Sequence, residues 1–295
     1  MSAGSWLSIL SRVRPADLVP EPYPHLIVKN ALEPEIFAQL EQQFPADDVV
    51  VDDRLPLRDT FYDYSASRVA ADPRITPLWR EFVSYHVSRH FFLEVVALFG
   101  DAIRSTHPSL ERSLGKRLED FEVGVRPGGR KDPFAPGADA SMDCQFYVNY
   151  TRQPRAVRGP HVDAPTELFA ALLYFRQPND DSAGGDLQIC RGSDSGLYPR
   201  NREIRIDQLP AEISSRSVEA VRTAKYEANT LVLFVNSFKS IHTVSTRTAT
   251  SITRRHVNFC AEVPVDLFKF RLPARLRLRK TLEETPGLWR LAKWV

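Results

Sequence analysis

The chain has 295 residues, 43% of them hydrophobic, 10% aromatic and 26% charged, enough apolar material for a substantial core in an ordinary soluble balance. A formal net charge of +2 makes no electrostatic case for nucleic acid, and none is expected as a partner. Three cysteines (Cys144, Cys190, Cys260) are too sparse for a disulfide framework. No apolar run approaches the roughly 20 residues of a spanning helix, so the expectation is a soluble, cytoplasmic protein.

Met1 to Arg14 carries a short apolar patch (Trp6, Leu7, Ile9, Leu10), too brief for a secretory leader, and residues 1–20 are read as an extension. After proline-rich punctuation, His25-Leu26-Ile27-Val28 reads as a first strand. Pro34 suits a first helical turn, and Ile36, Phe37, Leu40 and Phe44 repeat at helical spacing up to Pro45. Thr76-Pro77 opens a second, longer helix carrying Trp79, Phe82, Val83, Leu93 and Val96, predicted to end near Gly100. The stretch Gly124 to Gly137 reads as an exposed loop.

From Met142 the texture changes to short strands: Cys144–Tyr150, Phe169–Phe175, Asp186–Cys190, Thr230–Val235 and His256–Glu262. Regular short strands after helices predict an α+β domain over 21–267, a sandwich or barrel supported by N-terminal helices. Residues 268–295 form a basic, amphipathic tail with Lys269, Arg271, Arg275, Arg277 and Arg279 interleaved with leucine. Either it packs its Leu/Trp stripe on the domain, or it contacts a membrane surface or an acidic partner.

His161-Val162-Asp163 and His242 carry the chemistry. In a strand, positions i and i+2 face one side, so His161 and Asp163 can share a cavity. His242 lies just past the buried-strand pattern Thr230–Val235 and can return beside them. Two imidazoles and one carboxylate on one face of an octahedral metal leave the other positions open, the ligand pattern of non-haem Fe(II) oxygenases. His86 and His90 sit four apart on a predicted helix, but no glutamate follows His86, so the zinc-protease pattern is absent.

Gly159-Pro160-His161-Val162-Asp163, Leu172-Leu173-Tyr174-Phe175, Gly184-Gly185-Asp186-Leu187, Leu231–Phe234, His242-Thr243-Val244 and Thr253-Arg254-Arg255-His256-Val257-Asn258-Phe259 follow in that order. This set resembles the 2-oxoglutarate/Fe(II)-dependent dioxygenases, particularly their prolyl-hydroxylase-like branch. The resemblance implies a double-stranded β-helix, or jelly-roll, core.

It also implies iron held by His161, Asp163 and His242, with 2-oxoglutarate and O₂ as co-substrates and ascorbate as a possible reductant. The distal carboxylate of 2-oxoglutarate would meet Arg254 or Arg255. Arg254 fits the motif better, and Arg255 would face the other side of its strand. Tyr174 and Tyr150 are candidates for the same pocket, and Gln145, Tyr147 and Asn149 share a strand face that could meet substrate. His256 shares a face with Arg254.

Related halogenases carry Gly or Ala at the position of Asp163, so the resemblance implies hydroxylation. The implied reaction hydroxylates an unactivated C–H of a small molecule or amino acid, or of a prolyl residue in a protein, while 2-oxoglutarate is decarboxylated to succinate. A cupin-like metal-binding protein that does not use 2-oxoglutarate is the competing reading; it would not need Arg254. The long segment from Gly192 to Ala228 departs from the family and is expected to be a substrate-side insertion.

Overall fold

The computed structural model describes residues 5–52, 61–127, 134–192, 213 and 215–268. The tail from 269 onward, and with it the membrane or acidic-partner contact expected of residues 268–295, lies outside the described residues apart from Phe268. Among the described residues no helix is long and apolar enough to cross a membrane.

The chain enters through β1 (His25–Lys29), then α1 (Pro34–Gln42), α2 (Asp47–Val51), β2 (Phe61–Tyr64) and α3 (Ala66–Ala71). Next come α4 (Pro77–His86), α5 (Arg89–Thr106), α6 (Leu110–Leu114) and β3 (Val123–Val125). The remaining strands are β4 (Ala140–Thr151), β5 (Glu167–Tyr174), β6 (Leu187–Gly192), β7 (Val218–Ala224), β8 (Thr230–Val235), β9 (His242–Val244) and β10 (Thr250–Glu262).

The large sheet runs β1-β8-β5-β10-β4-β2, antiparallel throughout, with β3 parallel to β4. The small sheet runs β7-β6-β9. Side-chain alternation divides the large sheet cleanly. Cys144, Phe146, Val148, Phe169, Ala171, Leu173, Val257 and Phe259 pack outward into the core shared with α1, α4 and α5. Ala170, Tyr174, Val232 and Phe234 face the other way and pack with Leu187, Ile189 and Ala224 of the small sheet. A helical layer therefore backs one face of the large sheet, and a second sheet covers part of the other.

Trp79 anchors the helical layer. Its indole Nε1 donates to the Leu40 carbonyl at 3.0 Å, and its ring lies 4.7 Å from Phe146 and 5.3 Å from Phe175. Leu7, Ile9 and Leu10, read from sequence as part of an extension, are buried in this same core.

Four expectations need correction. The stretch from Gly124, expected as an exposed loop, starts inside β3, paired with β4, and buries Arg126. The helix predicted from Thr76 to Gly100 is two helices, α4 and α5, broken at Val87–Ser88. Ser88 caps the second helix, its hydroxyl accepting from the Phe91 amide at 3.3 Å, so the chain turns although the apolar period continues. The segment after Gly192 is not all insertion: β7 pairs with β6, Leu187 opposite Ala224. The strand predicted at Asp186–Cys190 spans Leu187–Gly192, leaving Asp186 to accept from the Tyr226 amide at 2.9 Å.

Candidate metal centre and cavity

His161 and His242 are brought together by the backbone. They form an antiparallel bridge, His161 N–H donating to His242 O at 3.0 Å and His242 N–H donating to His161 O at 2.9 Å. Each ring is then turned by the same local bond. Nδ1 of His161 donates to the Gly159 carbonyl (2.7 Å) and Nδ1 of His242 to the Ser240 carbonyl (3.0 Å). A carbonyl only accepts, so both protons sit on Nδ1 and both Nε2 lone pairs are free for a metal.

Asp163 completes the set. Its Oδ1 lies 3.7 Å from His161 Nε2 and its Oδ2 3.6 Å from His242 Nε2. These gaps are too long for hydrogen bonds. All three donors lie within 4.8 Å of one another, and this is the one such group among the described residues. The three donors are gathered closely enough to share one divalent ion. Burial, reinforced by the His242 ring and Arg158, pushes the His161 pKa well below its ordinary value, so the ring is neutral and able to bind metal.

The triad opens on a cavity of about 350 Å³. Its floor is the inward row of β10, Arg254, His256, Asn258, Cys260 and Glu262, alternate residues over roughly 27 Å of strand. Gln145, Tyr147 and Asn149 of β4, which share a strand face, line it together with Ala170, Leu172 and Phe234.

Arg254 is only 1% exposed and held from several sides. Its Nε donates to the Gly185 carbonyl (3.1 Å) and its Nη1 to His256 Nδ1 (3.1 Å). Its guanidinium carbon lies 5.0 Å from the Tyr174 ring centroid and 4.9 Å from that of Tyr226. A guanidinium can only donate, so His256 accepts at Nδ1 and carries its proton on Nε2. Burial, then the neighbouring Arg254 charge, pushes the His256 pKa well below its ordinary value. Arg254 Nη2 and the Tyr174 hydroxyl remain buried without hydrogen-bond partners. A buried donor left unmade costs about 1–3 kcal/mol, so Arg254, which lines the cavity, can meet an acceptor there, and a carboxylate fits.

The two competing arginines are separated by strand parity. Arg255 faces the helical layer, its Nη2 donating to Asp47 Oδ1 at 2.8 Å. Tyr150 needs the same correction: it lies one residue past the inward Asn149, faces away from the cavity and packs edge-on against Tyr62 at 6.2 Å. Tyr174 is fully buried behind Arg254 rather than on the cavity surface. His86 serves the core, its Nδ1 donating to Phe82 O at 2.8 Å and its Nε2 accepting from the Ile9 amide at 3.2 Å.

Several site residues were not foreseen. Tyr226 supports Arg254 from the far side, and its hydroxyl accepts from the Arg255 amide at 2.8 Å. Arg126, Arg158, Glu167 and Glu262 line the cavity. Glu262 was within reach of the sequence, eight residues beyond Arg254 and so on the same strand face.

No family model matches the sequence, and no match is found among curated proteins. Solved structures do match. A prolyl 4-hydroxylase from Phytophthora capsici has a TM-score of 0.48 at 12% identity over 91% of this chain and 68% of that chain. A prolyl-4-hydroxylase from Pseudomonas putida has a TM-score of 0.41 at 13% identity over 82% and 93%. HygX from Streptomyces hygroscopicus, with nickel and 2-oxoglutarate bound, has a TM-score of 0.39 at 12% identity over 81% and 82%. The neighbours are prolyl 4-hydroxylases and 2-oxoglutarate/Fe(II) oxygenases.

Proposed function

We propose that this chain is an Fe(II)- and 2-oxoglutarate-dependent dioxygenase that hydroxylates an unactivated C–H of a small molecule or amino acid. One observation carries the reading: two imidazoles with free Nε2 atoms and a carboxylate converge in the same cavity as a buried arginine with an unmade hydrogen bond. In this reading His161, Asp163 and His242 hold iron on one face, a donor set suited to ferrous ion with positions left open. Bound there, iron with 2-oxoglutarate and O₂ supplies the oxidising power for C–H hydroxylation as the keto-acid is decarboxylated to succinate.

The chain's own residues bind and orient. Arg254 offers Nη2 to the distal carboxylate beside the Tyr174 hydroxyl, while His256 and Gly185 fix the guanidinium through the other two nitrogens. Tyr147, stacked on His256 at 5.0 Å, and Phe61, stacked on Tyr147 at 5.9 Å, form an aromatic wall along one side of the cavity. The strand order β4-β10-β5-β8 facing β7-β6-β9, with His161 bridged to β9, supports a double-stranded β-helix as the finer description of the core. A cupin-like metal protein without 2-oxoglutarate gives no use to the unmade bond of Arg254.

The test is succinate release from 2-oxoglutarate with Fe(II), O₂ and ascorbate, using Asp163→Ala as control. Succinate formed by the wild type and lost in the variant supports the reading. Equal release from both would reject it.

A further inference from the structure

Arg254 lies early in β10; the far end of the same strand carries charges that neither iron nor the keto-acid uses. Glu262, its last residue, is the cross-strand partner of Glu167, the first residue of β5, across a bulge. Like charges placed opposite each other in a sheet destabilise it, so the pair calls for a countercharge.

Arg126 is the nearest one. Its Nη2 lies 2.8 Å from Glu262 Oε1, its Nη1 3.8 Å from Asp143 Oδ2, and its Nε is buried without a partner. One guanidinium thus stands among three carboxylates, and two of them are otherwise engaged. Asp143 Oδ1 accepts from the Ala66 and Cys144 amides at 2.9 Å each, and Glu262 Oε2 from Thr166 Oγ1 at 3.4 Å. The Glu167 carboxylate lines the cavity with no ion pair or hydrogen bond from a described residue. Burial first, then the charges of Asp163 and Glu262, hold the Glu167 carboxyl well above its ordinary pKa, and Arg126 and, more weakly, Arg158 offset only part of this. A cation arriving beside it favours the carboxylate form and would be met by it.

Among the described residues the cavity end carries more carboxylates (Asp143, Glu167 and Glu262) than cations (Arg126 and Arg158). A second metal is not the missing charge, because His161, Asp163 and His242 are the one metal-ligating group among the described residues. The cavity also lies near the small end of ligand sites, and the co-substrate must share it, so the missing group belongs to a compact molecule.

We propose that the substrate is a small molecule bearing a protonated amine, and that the Glu167 carboxylate, flanked by the Arg126–Glu262 pair, receives the ammonium. This rests on the dioxygenase reading, which puts the substrate in the same cavity as the co-substrate. Three N–H donors on an ammonium match the acceptors of two facing carboxylates.

The experiment uses the full chain loaded with Ni(II) and 2-oxoglutarate. Calorimetry compares probes that differ in the amine: L-proline against cyclopentanecarboxylate, and 6-aminohexanoate against hexanoate. At least one amine is expected to bind at least tenfold more tightly than its deamino counterpart, and Glu167→Gln, which keeps the shape of the wall, is expected to abolish that preference. If neither amine is preferred by the wild type, or if the preference survives in a folded Glu167→Gln, the proposal is overturned. If the wild type fails to bind 2-oxoglutarate with Ni(II), the dioxygenase reading falls, and this one with it.

Discussion

His161 and His242 are bonded to each other through their main chains, and their side chains follow from that. The reciprocal amide–carbonyl pair at 3.0 and 2.9 Å makes them direct antiparallel partners, and their ring centroids lie 4.2 Å apart. Two rings this close are poorly placed to carry charge together, and His242 is one cause of the lowered His161 pKa. The strand pairing sets the spacing of the metal donors, and the Nδ1 bonds set their aim. Such a site is assembled by the fold before any ion arrives.

The sharpest discrimination at the cavity is between adjacent arginines. Arg254→Met removes the guanidinium whose Nη2 is free. Losing a buried charge pair costs roughly 2–5 kcal/mol, so 2-oxoglutarate should bind about thirtyfold more weakly or worse. Arg255→Met breaks the part-exposed pair with Asp47 and a cation–π contact on Phe44, a loss of about 1 kcal/mol in stability, and leaves 2-oxoglutarate affinity within about threefold. Calorimetric titration of both variants measures this, and similar losses in each would contradict the assignment.

Gly184 and Gly185 shape the floor beneath Arg254. Both have positive φ (79° and 77°), and a Cβ on Gly184 would stand 1.9 Å from the Thr246 carbonyl oxygen. Gly184→Ala therefore carries about 1–2 kcal/mol of backbone strain plus a displaced loop. A Cβ on Gly185 would instead meet Arg247 Cδ at 3.3 Å and Arg254 Nε at 3.5 Å, so that variant should be the milder in stability while still weakening 2-oxoglutarate binding. Urea denaturation and ligand titration of the two alanine variants separate the effects.

Under this turn lies a fully buried ion pair. Arg247 donates to Asp180 Oδ2 at 2.9 Å, and also to Ser182, Thr151 and the Ile252 carbonyl. Arg247→Met leaves the buried Asp180 carboxylate with only the longer Arg176 contact at 3.8 Å as countercharge and should cost about 3 kcal/mol. Adding Asp180→Ala should recover part of that loss, because the under-compensated buried carboxylate is gone. Denaturant midpoints of the single and double variants test it, and a double variant no more stable than Arg247→Met would contradict the account.

Acid should weaken the metal-free fold. Burial lowers the pKa of His25, His107, His161 and His256, and takes His86 down to about 3 from its usual 6.5. Between those values the unfolded chain binds protons that the folded chain refuses, so stability falls as pH drops below about 6.5. One such histidine contributes a slope of about 1.36 kcal/mol per pH unit. Asp143, raised to about 6 by burial, and Glu167, also raised, work in the opposite sense. Urea stability measured from pH 7.5 to 4.5 should decline, and His86→Gln should reduce the slope by about one proton. A flat profile would contradict this.

How much of this was legible depends on whether the signal was local. His161 and Asp163 come together without the strand expected for them, His161 in an isolated bridge and Asp163 outside any strand, whereas strand parity does favour Arg254 over Arg255. It also puts Tyr150 on the wrong face for the cavity, so that misplacement was avoidable. The break at Ser88 was hidden because the apolar spacing runs on across it. Strand β7 was hidden because Glu219, Arg222 and Thr223 leave it little apolar alternation, and only its pairing with β6 makes it a strand. Arg247 and Asp180, 67 residues apart, meet through the fold alone. Glu167 and Glu262 become notable only once β5 and β10 are aligned.

The most direct measurement is a calorimetric titration of 2-oxoglutarate into the protein with and without Ni(II), repeated on Asp163→Ala. The account predicts one metal per chain, one 2-oxoglutarate bound only when metal is present, and loss of both in the variant. Binding of 2-oxoglutarate that ignores the metal, or metal binding that survives Asp163→Ala unchanged, would contradict it.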